Sequence, residues 1–289
     1  MKKLLIFAIF YCFVPIMKGQ IPFPIVWGIS QTLDFSDTNS TKYIMIDSLI
    51  STNIFQIGSP QKPIINSAYS TPNAIVTDTI SFYPDNNRSI FYMTLLKNEG
   101  LLDFYFRTQY DTDIGVDGGN IEISFDGGAT WGNVIDSTFL SIYNIQIGYG
   151  TNFYTKYDTV QSLSGEPGFS GNSNGWIHSS FGLFYQNAVQ NTDTFLLKFE
   201  FASDSLNTNK EGWAIDDIVI HANHVGISEV TKTDFIVFPN PSKGQFTIGH
   251  FTQGDTEISI YNTLGLRLKD LELNSGEIVD LSKIGRAHV

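Results

Sequence analysis

The chain has 289 residues, with 29 acidic against 17 basic side chains and a net charge of −12, and aromatic residues make up 14% of it. A surface this acidic repels nucleic acid and anionic lipid, so neither is expected as a partner, whereas divalent cations and neutral glycans are compatible with it. The length gives room for one large or two ordinary domains, and 25 Gly with 10 Pro punctuate it in a way that favours β-sandwiches over helical bundles.

Met1 to Gln20 has the form of a secretory signal peptide: Lys2 and Lys3, then an apolar run from Leu4 to Met17. Pro15 interrupts that run, which is too short to span a bilayer. Cleavage is expected after Gly19, leaving residues 20–289 with no membrane span. Cys12 is the only cysteine and leaves with the signal peptide. An exported chain without disulfides must be held by its core, its sheet pairing or a bound metal, and a bacterial envelope is the setting that fits.

Residues 20–222 read as one β domain. Short apolar strands are expected at Tyr43–Ile46, Ala74–Val76, Ile90–Leu95, Leu101–Tyr110, Ile121–Phe125, Phe181–Tyr185, Phe195–Phe201 and Trp213–Ile220, separated by Gly, Asn, Ser and Pro. Leu102-Asp-Phe-Tyr-Phe-Arg and Leu197-Lys-Phe-Glu-Phe-Ala alternate with period two, each with one buried face. The pattern predicts an all-β, two-sheet jelly-roll sandwich. At its centre, Asp117 to Trp131 reads turn, strand, turn, next strand, because Asp-Gly-Gly stands on both sides of Ile121–Phe125. Residues 223–234 are polar and aperiodic and read as a linker. Residues 235–283 begin a second, smaller β unit, with strands at Ile258–Tyr261 and Leu266–Leu273 around an Asn262-Thr-Leu-Gly turn.

Several motifs carry possible chemistry. Ser124-Phe-Asp-Gly-Gly-Ala-Thr-Trp fits the Asp-box pattern of sialidase propellers, but a propeller repeats the unit in every blade and this chain has one copy, which reads as a hairpin. Asp111 to Asp117 followed by Glu122 mimics an EF-hand loop, yet Val116 stands where the sharp turn demands Gly. A looser cation site on these carboxylates stays open. Gly171-Asn-Ser-Asn-Gly lacks the strand and helix of a nucleophile elbow. The five histidines are scattered, and nothing amounts to an active site. Asp216 and Asp217 interrupt an otherwise apolar strand, so one of the two points towards the core and must be paired, hydrogen-bonded or on a metal. Loop aromatics Tyr149, Phe169 and Trp176 are candidates for a ligand-stacking platform.

Phe238-Pro-Asn-Pro-Ser-Lys-Gly-Gln-Phe-Thr, Ile258-Ser-Ile-Tyr-Asn-Thr-Leu-Gly and Val279-Asp-Leu-Ser resemble the type A C-terminal sorting domain of type IX secretion. The resemblance implies an Ig-like sandwich, handling by the type IX machinery, a Bacteroidota-type host, and release or attachment at the outer surface. After Asp-Leu-Ser the family pattern continues with a further turn and strand, but here Ile284-Gly-Arg-Ala-His-Val follows. Residues 284–289 look like a reading frame of a sequencing adapter, so the sorting domain is expected to be truncated and its small sandwich incomplete.

Ile54-Phe-Gln-Ile-Gly-Ser-Pro-Gln-Lys, Gly118 to Trp131, Phe199-Glu-Phe-Ala-Ser-Asp and Gly212-Trp-Ala-Ile-Asp-Asp-Ile-Val-Ile resemble, in that order, the MAM-like jelly-roll module appended to secreted peptidases such as immune inhibitor A. That resemblance implies adhesion or substrate binding, with structural calcium held by a carboxylate at Asp216 or Asp217 and an acidic residue near the domain start, here Asp34, although the family's Glu is absent. The expected protein is therefore an exported, non-catalytic binding or adhesion protein whose jelly roll recognises a glycan or a surface protein. The alternatives are a hydrolase on the same scaffold, which needs two convergent carboxylates in a cleft, and a purely structural surface protein.

Overall fold

The computed structural model describes residues 20–26, 28–96, 100–148, 150–185, 194–206, 209–223, 236–239, 245–249, 256–262, 266–273 and 278–280. The expected signal peptide 1–19, the linker from residue 224, Tyr149 and the terminal 284–289 lie outside the described residues. The chain divides into two units, 1–225 and 226–289.

Apolar alternation becomes strand in each place where the sequence shows it. The first unit contains β1 (Gln31–Leu33), β2 (Ile44–Ile46), β3 (Phe55–Gly58), β4 (Ala74–Thr77), β5 (Arg88–Leu96), β6 (Gly100–Asp111), β7 (Gly118–Ser124), β8 (Gly132–Asn133), β9 (Ile145–Ile147), β10 (Ile177–Tyr185), β11 (Thr194–Ala202) and β12 (Gly212–Asn223). Two short helices, α1 (Thr38–Thr41) and α2 (Ser137–Ile142), lie between them. Asp136 caps the second by accepting from the Thr138 and Phe139 N–H groups.

The pairing is that of one long hairpin folded over on itself. β4 pairs with β12, β5 with β11, β6 with β10 and β7 with β8. Eight strands so wound lie as β4-β12-β6-β10 in one sheet and β5-β11-β7-β8 in the other, which is the jelly-roll wrap. β1, β3 and β9 extend the first sheet, and β2 extends the second. The expected all-β, two-sheet fold is therefore the observed one.

The inner faces meet in an aromatic core. Phe104 stacks on Phe181 at 4.7 Å in the first sheet, and Phe91 on Phe199 at 4.4 Å in the second. Trp213, fully buried, stands between the sheets and satisfies its indole N–H on Thr108 Oγ1 at 2.7 Å. Gly119 faces that ring so closely that a Cβ there would overlap it. The β7–β8 turn is the hairpin that the Asp-box pattern predicts: Asp126 accepts from Thr130 N (2.8 Å), Thr130 Oγ1 (2.6 Å) and Ser124 Oγ (2.8 Å), and Trp131 Nε1 donates to Gly128 O.

In the second unit the described strands are β13 (Ile236–Phe238), β14 (Gln245–Gly249), β15 (Thr256–Tyr261), β16 (Arg267–Leu273) and β17 (Ile278–Asp280). They form two small antiparallel sheets, β13-β14-β17 and β15-β16. Among the described residues no helix is long and apolar enough to cross a membrane.

Candidate functional site

The outer face of the β4-β12-β6-β10 sheet collects aromatic and charged side chains. Along β6, Leu102, Phe104 and Phe106 are buried, so the alternate residues Asp103, Tyr105 and Arg107 face outward. Across β10, His178 lies opposite Arg107 and Ser180 opposite Tyr105. The Tyr105 and His178 rings stack at 5.7 Å and 11°. Burial and the neighbouring Arg107 push the His178 imidazole below its usual value, which leaves it neutral at pH 7. The Arg107 guanidinium lies 4.3 Å from the Tyr69 ring centroid, and Tyr69 meets Trp176 edge-on at 6.3 Å. Tyr69 is 46% exposed and His178 is exposed, so this row of rings faces solvent.

Tyr69 belongs to the segment 59–73 between β3 and β4, which lies over the outer face of this sheet. Ile65 from that segment packs on Val76 and Ala214, with Trp176 against the same cluster. Trp176 Nε1 donates to the Ser67 carbonyl at 3.2 Å. Glu211 accepts from the N–H groups of Ile64 and Ile65, and the buried Lys62 donates to the carbonyls of Thr77 and Glu211. Burial pushes the Lys62 amine down to about 8, against the pull of Glu211.

The acidic pair in β12 holds the same segment. A β-bulge shifts the register between Asp216 and Val219, and Asp217 has φ +44°. Asp216 is fully buried, but it lies on the outer side of the sheet, beneath the segment 59–73, because Trp213 and Ile215 take the core side. This corrects the expectation of a core-facing carboxylate. Asp216 Oδ2 accepts from Ser70 N at 2.9 Å and Oδ1 from Asp217 N at 2.8 Å, while Asp217 accepts from Ser70 Oγ at 2.9 Å. Burial pushes Asp216 up to about 7, although the Ser70 and Asp217 N–H groups act the other way.

Asp34 follows Leu33, which pairs with Ile218, so it comes alongside the Asp216–Asp217 bulge, but its own hydrogen bonds are local. It accepts from Ser36 N, Ser36 Oγ and Ser40 Oγ within its own turn, and these bonds, the Ser36 N–H first, hold it below the usual carboxylate range. Calcium takes a shell of oxygens, and here Asp216 Oδ1 and Oδ2 each accept an N–H while serine hydroxyls donate to Asp217 and Asp34. Among the described residues no three His, Cys, Asp or Glu are grouped to hold a metal. The Asp111–Glu122 carboxylates also go separate ways. Asp111 pairs with Lys210 at 2.9 Å, Asp117 accepts from Tyr83 Oη and Asp204 N, and Glu122 pairs with Lys198.

Of the three loop aromatics, Trp176 joins the ring row. Phe169 does not: it is 3% exposed and packs on Tyr154, Phe153 and Trp213. Its backbone bridges Gly119 in both directions, which carries the ring into the core. It still forms part of the wall of a hollow of about 500 Å³ with Tyr110, Asn152, Phe153, Tyr157 and Asp158, where Tyr157 is 80% exposed. A second hollow, about 490 Å³, lies beside Tyr105 and is bounded by Leu101, Asp103, Gln146, Thr151 and Phe184. Asn152 donates to the His178 carbonyl, so the ring row runs past the edges of both hollows. Sequence reasoning missed Tyr105 and Arg107 as site residues, although the β6 alternation that buries Phe104 and Phe106 already turns them outward. Nothing local in the sequence marks Tyr69.

Comparison with known proteins bears mainly on the second unit. Residues 236–284 match the secretion system C-terminal sorting domain family. No curated protein sequence matches the chain. Among solved structures, the CBM22-1 xylan-binding domain from Paenibacillus barcinonensis Xyn10C is similar at 7% identity, covering 68% of this chain and 95% of that one, with a TM-score of 0.38. The K2 cleaved adhesin domain of Lys-gingipain is similar at 10% identity, covering 67% of this chain and 98% of that one, with a TM-score of 0.36. Likeness at this level says nothing of what this chain binds. The segment 236–284 is a type IX C-terminal sorting domain, and the chain that carries it is one built for secretion.

Proposed function

We propose that the protein is a secreted or surface-exposed binding protein whose jelly roll recognises neutral glycans on the outer face of its β4-β12-β6-β10 sheet. The observation that carries this reading is the solvent-facing row Trp176–Tyr69–Arg107–Tyr105–His178. Flat rings stack on the apolar faces of sugars, and a guanidinium with flanking polar groups fixes hydroxyls. A purely structural surface protein has no need of rings held in line by a clamp such as Asp216 and Asp217 on Ser70.

The hydrolase reading has one specific observation in its favour: Glu122 and Glu200 converge on one Lys198 ammonium. Their chemistry points the other way. Burial pushes Glu200 up, but the Arg88 hydrogen bond and Lys198 outweigh it and hold the carboxyl below its usual range. A glycosidase acid needs the opposite shift.

The test is an array of neutral glycans probed with the full chain, alongside an array of host and bacterial surface proteins. Signal on neutral glycans that Trp176→Ala abolishes supports the reading. Signal confined to proteins, or glycan turnover without retained binding, contradicts it.

A further inference from the structure

The outer face of the opposite sheet, β5-β11-β7-β8, carries a different arrangement, one of paired charges rather than rings. Arg88 Nε donates to Glu200 Oε1 at 2.7 Å, Lys198 Nζ meets Glu200 Oε2 at 2.9 Å, and Lys198 also pairs with Glu122. The register sets this up, with Lys198 opposite Glu122 and Glu200 opposite Asn120. These groups floor a hollow of about 380 Å³, and Ser162 and Ser164 from the 3₁₀ turn at Gln161–Leu163 form its rim.

Asn120 sits in that floor with 1% exposure, and its Oδ1 has no hydrogen-bond partner. Its neighbours Gly119 and Ile121 face Trp213 and the core, so the side chain of Asn120 lies on the hollow side of the sheet. A buried acceptor without a donor is a cost that folded proteins rarely leave in place.

We propose that this hollow is a second binding site, separate from the ring row, that takes a neutral polyhydroxylated ligand such as a terminal sugar residue. Three features select that class. Two cations and two carboxylates cancel, so no net charge draws an ionic ligand, and an ion would have to break a formed pair. The carboxylates keep lone pairs and the 60%-exposed Arg88 side chain keeps N–H groups, so donors and acceptors alternate around the hollow. Asn120 Oδ1 lacks only a donor, and a turn of its carboxamide towards the hollow would bring it to a hydroxyl, which both donates and accepts. The volume lies within the range of roughly 300–1,000 Å³ that small-molecule pockets occupy.

The experiment uses the full chain and a panel of methyl glycosides of neutral hexoses and pentoses, followed by saturation-transfer NMR and calorimetric titration. The wild type binds at least one of them, and Asn120→Ala binds roughly tenfold more weakly or worse. The melting midpoint of Asn120→Ala stays level or rises, because the variant removes an unpaired acceptor rather than a bond. The titrations are repeated in a Tyr105→Ala background, which disables the ring row on the other face, so that binding lost there with Asn120→Ala belongs to this hollow and failure here and failure of the ring-row reading are told apart. The proposal is overturned if no glycoside binds, if Asn120→Ala binds as the wild type does, if the midpoint of Asn120→Ala drops with the loss, or if inorganic phosphate or methylammonium competes for the site.

Discussion

Asp216 shows how a single carboxylate in an apolar strand is used. Its folded pKa, pushed up to about 7 by burial, lies above the unfolded value near 3.8, so the folded state holds its proton more tightly. Between those values the folded protein binds more protons than the unfolded chain, and stability falls as pH rises. The expected outcome is a melting midpoint that declines from about pH 4 to about pH 7 more steeply in the wild type than in Asp216→Asn, read by calorimetry. Because N–H groups already enclose this carboxylate, adding a chelator is expected to leave the midpoint unchanged. A drop would restore the calcium site that the resemblance implies at Asp34, Asp216 and Asp217. The Asp-Asp pair was legible as a special position, since a charge in such a strand needs a partner. The partner itself, Ser70, was not, because it lies 146 residues away from Asp216 and nothing local announces it. Lys62 was hidden for the same reason: a lysine in a Pro- and Ser-rich segment reads as solvated, yet its two carbonyl acceptors are on β4 and at Glu211.

At the scale of elements, the hairpin from Gly118 to Asn133 does two separable jobs. Its turn is closed by Asp126, whose loss in Asp126→Ala is expected to lower stability by about 1–2 kcal/mol without changing ligand binding. Its strand admits Trp213 through Gly119, so Gly119→Ala is expected to cost about 2 kcal/mol or more by forcing the indole aside, with a lower denaturant midpoint as the readout. The longer strands were readable because period-two alternation persists through six or more residues in β6, β7 and β11. β8 and β9, with two and three residues, are too short to show a period. Yet β8 is the strand that pairs with β7 and completes the jelly-roll wrap. The β12 strand also runs three residues past its predicted end, through His221 to Asn223, because its pairing with β6 continues through His221 opposite Asp103, Ala222 opposite Leu102 and Asn223 opposite Leu101.

At the scale of the whole molecule, one unit supplies the address and the other carries the proposed binding surface. The sorting domain was legible from contiguous motifs alone, because such a label is read as a local sequence. A chain lacking residues 236–284, expressed in a type IX-competent host, is expected to stay behind the outer membrane, as cell fractionation would show. The proposed binding face was only half legible: β6 declares its outward residues, whereas Tyr69 and Trp176 meet across 107 residues through the segment that Asp216 clamps. The most direct measurement is a calorimetric titration of the full chain with the strongest neutral glycan from the array, comparing wild type, Tyr69→Ala and Tyr105→Ala. The account predicts affinity roughly tenfold weaker in each variant, with melting midpoints within a few degrees of wild type. Equal affinity in all three proteins would contradict it.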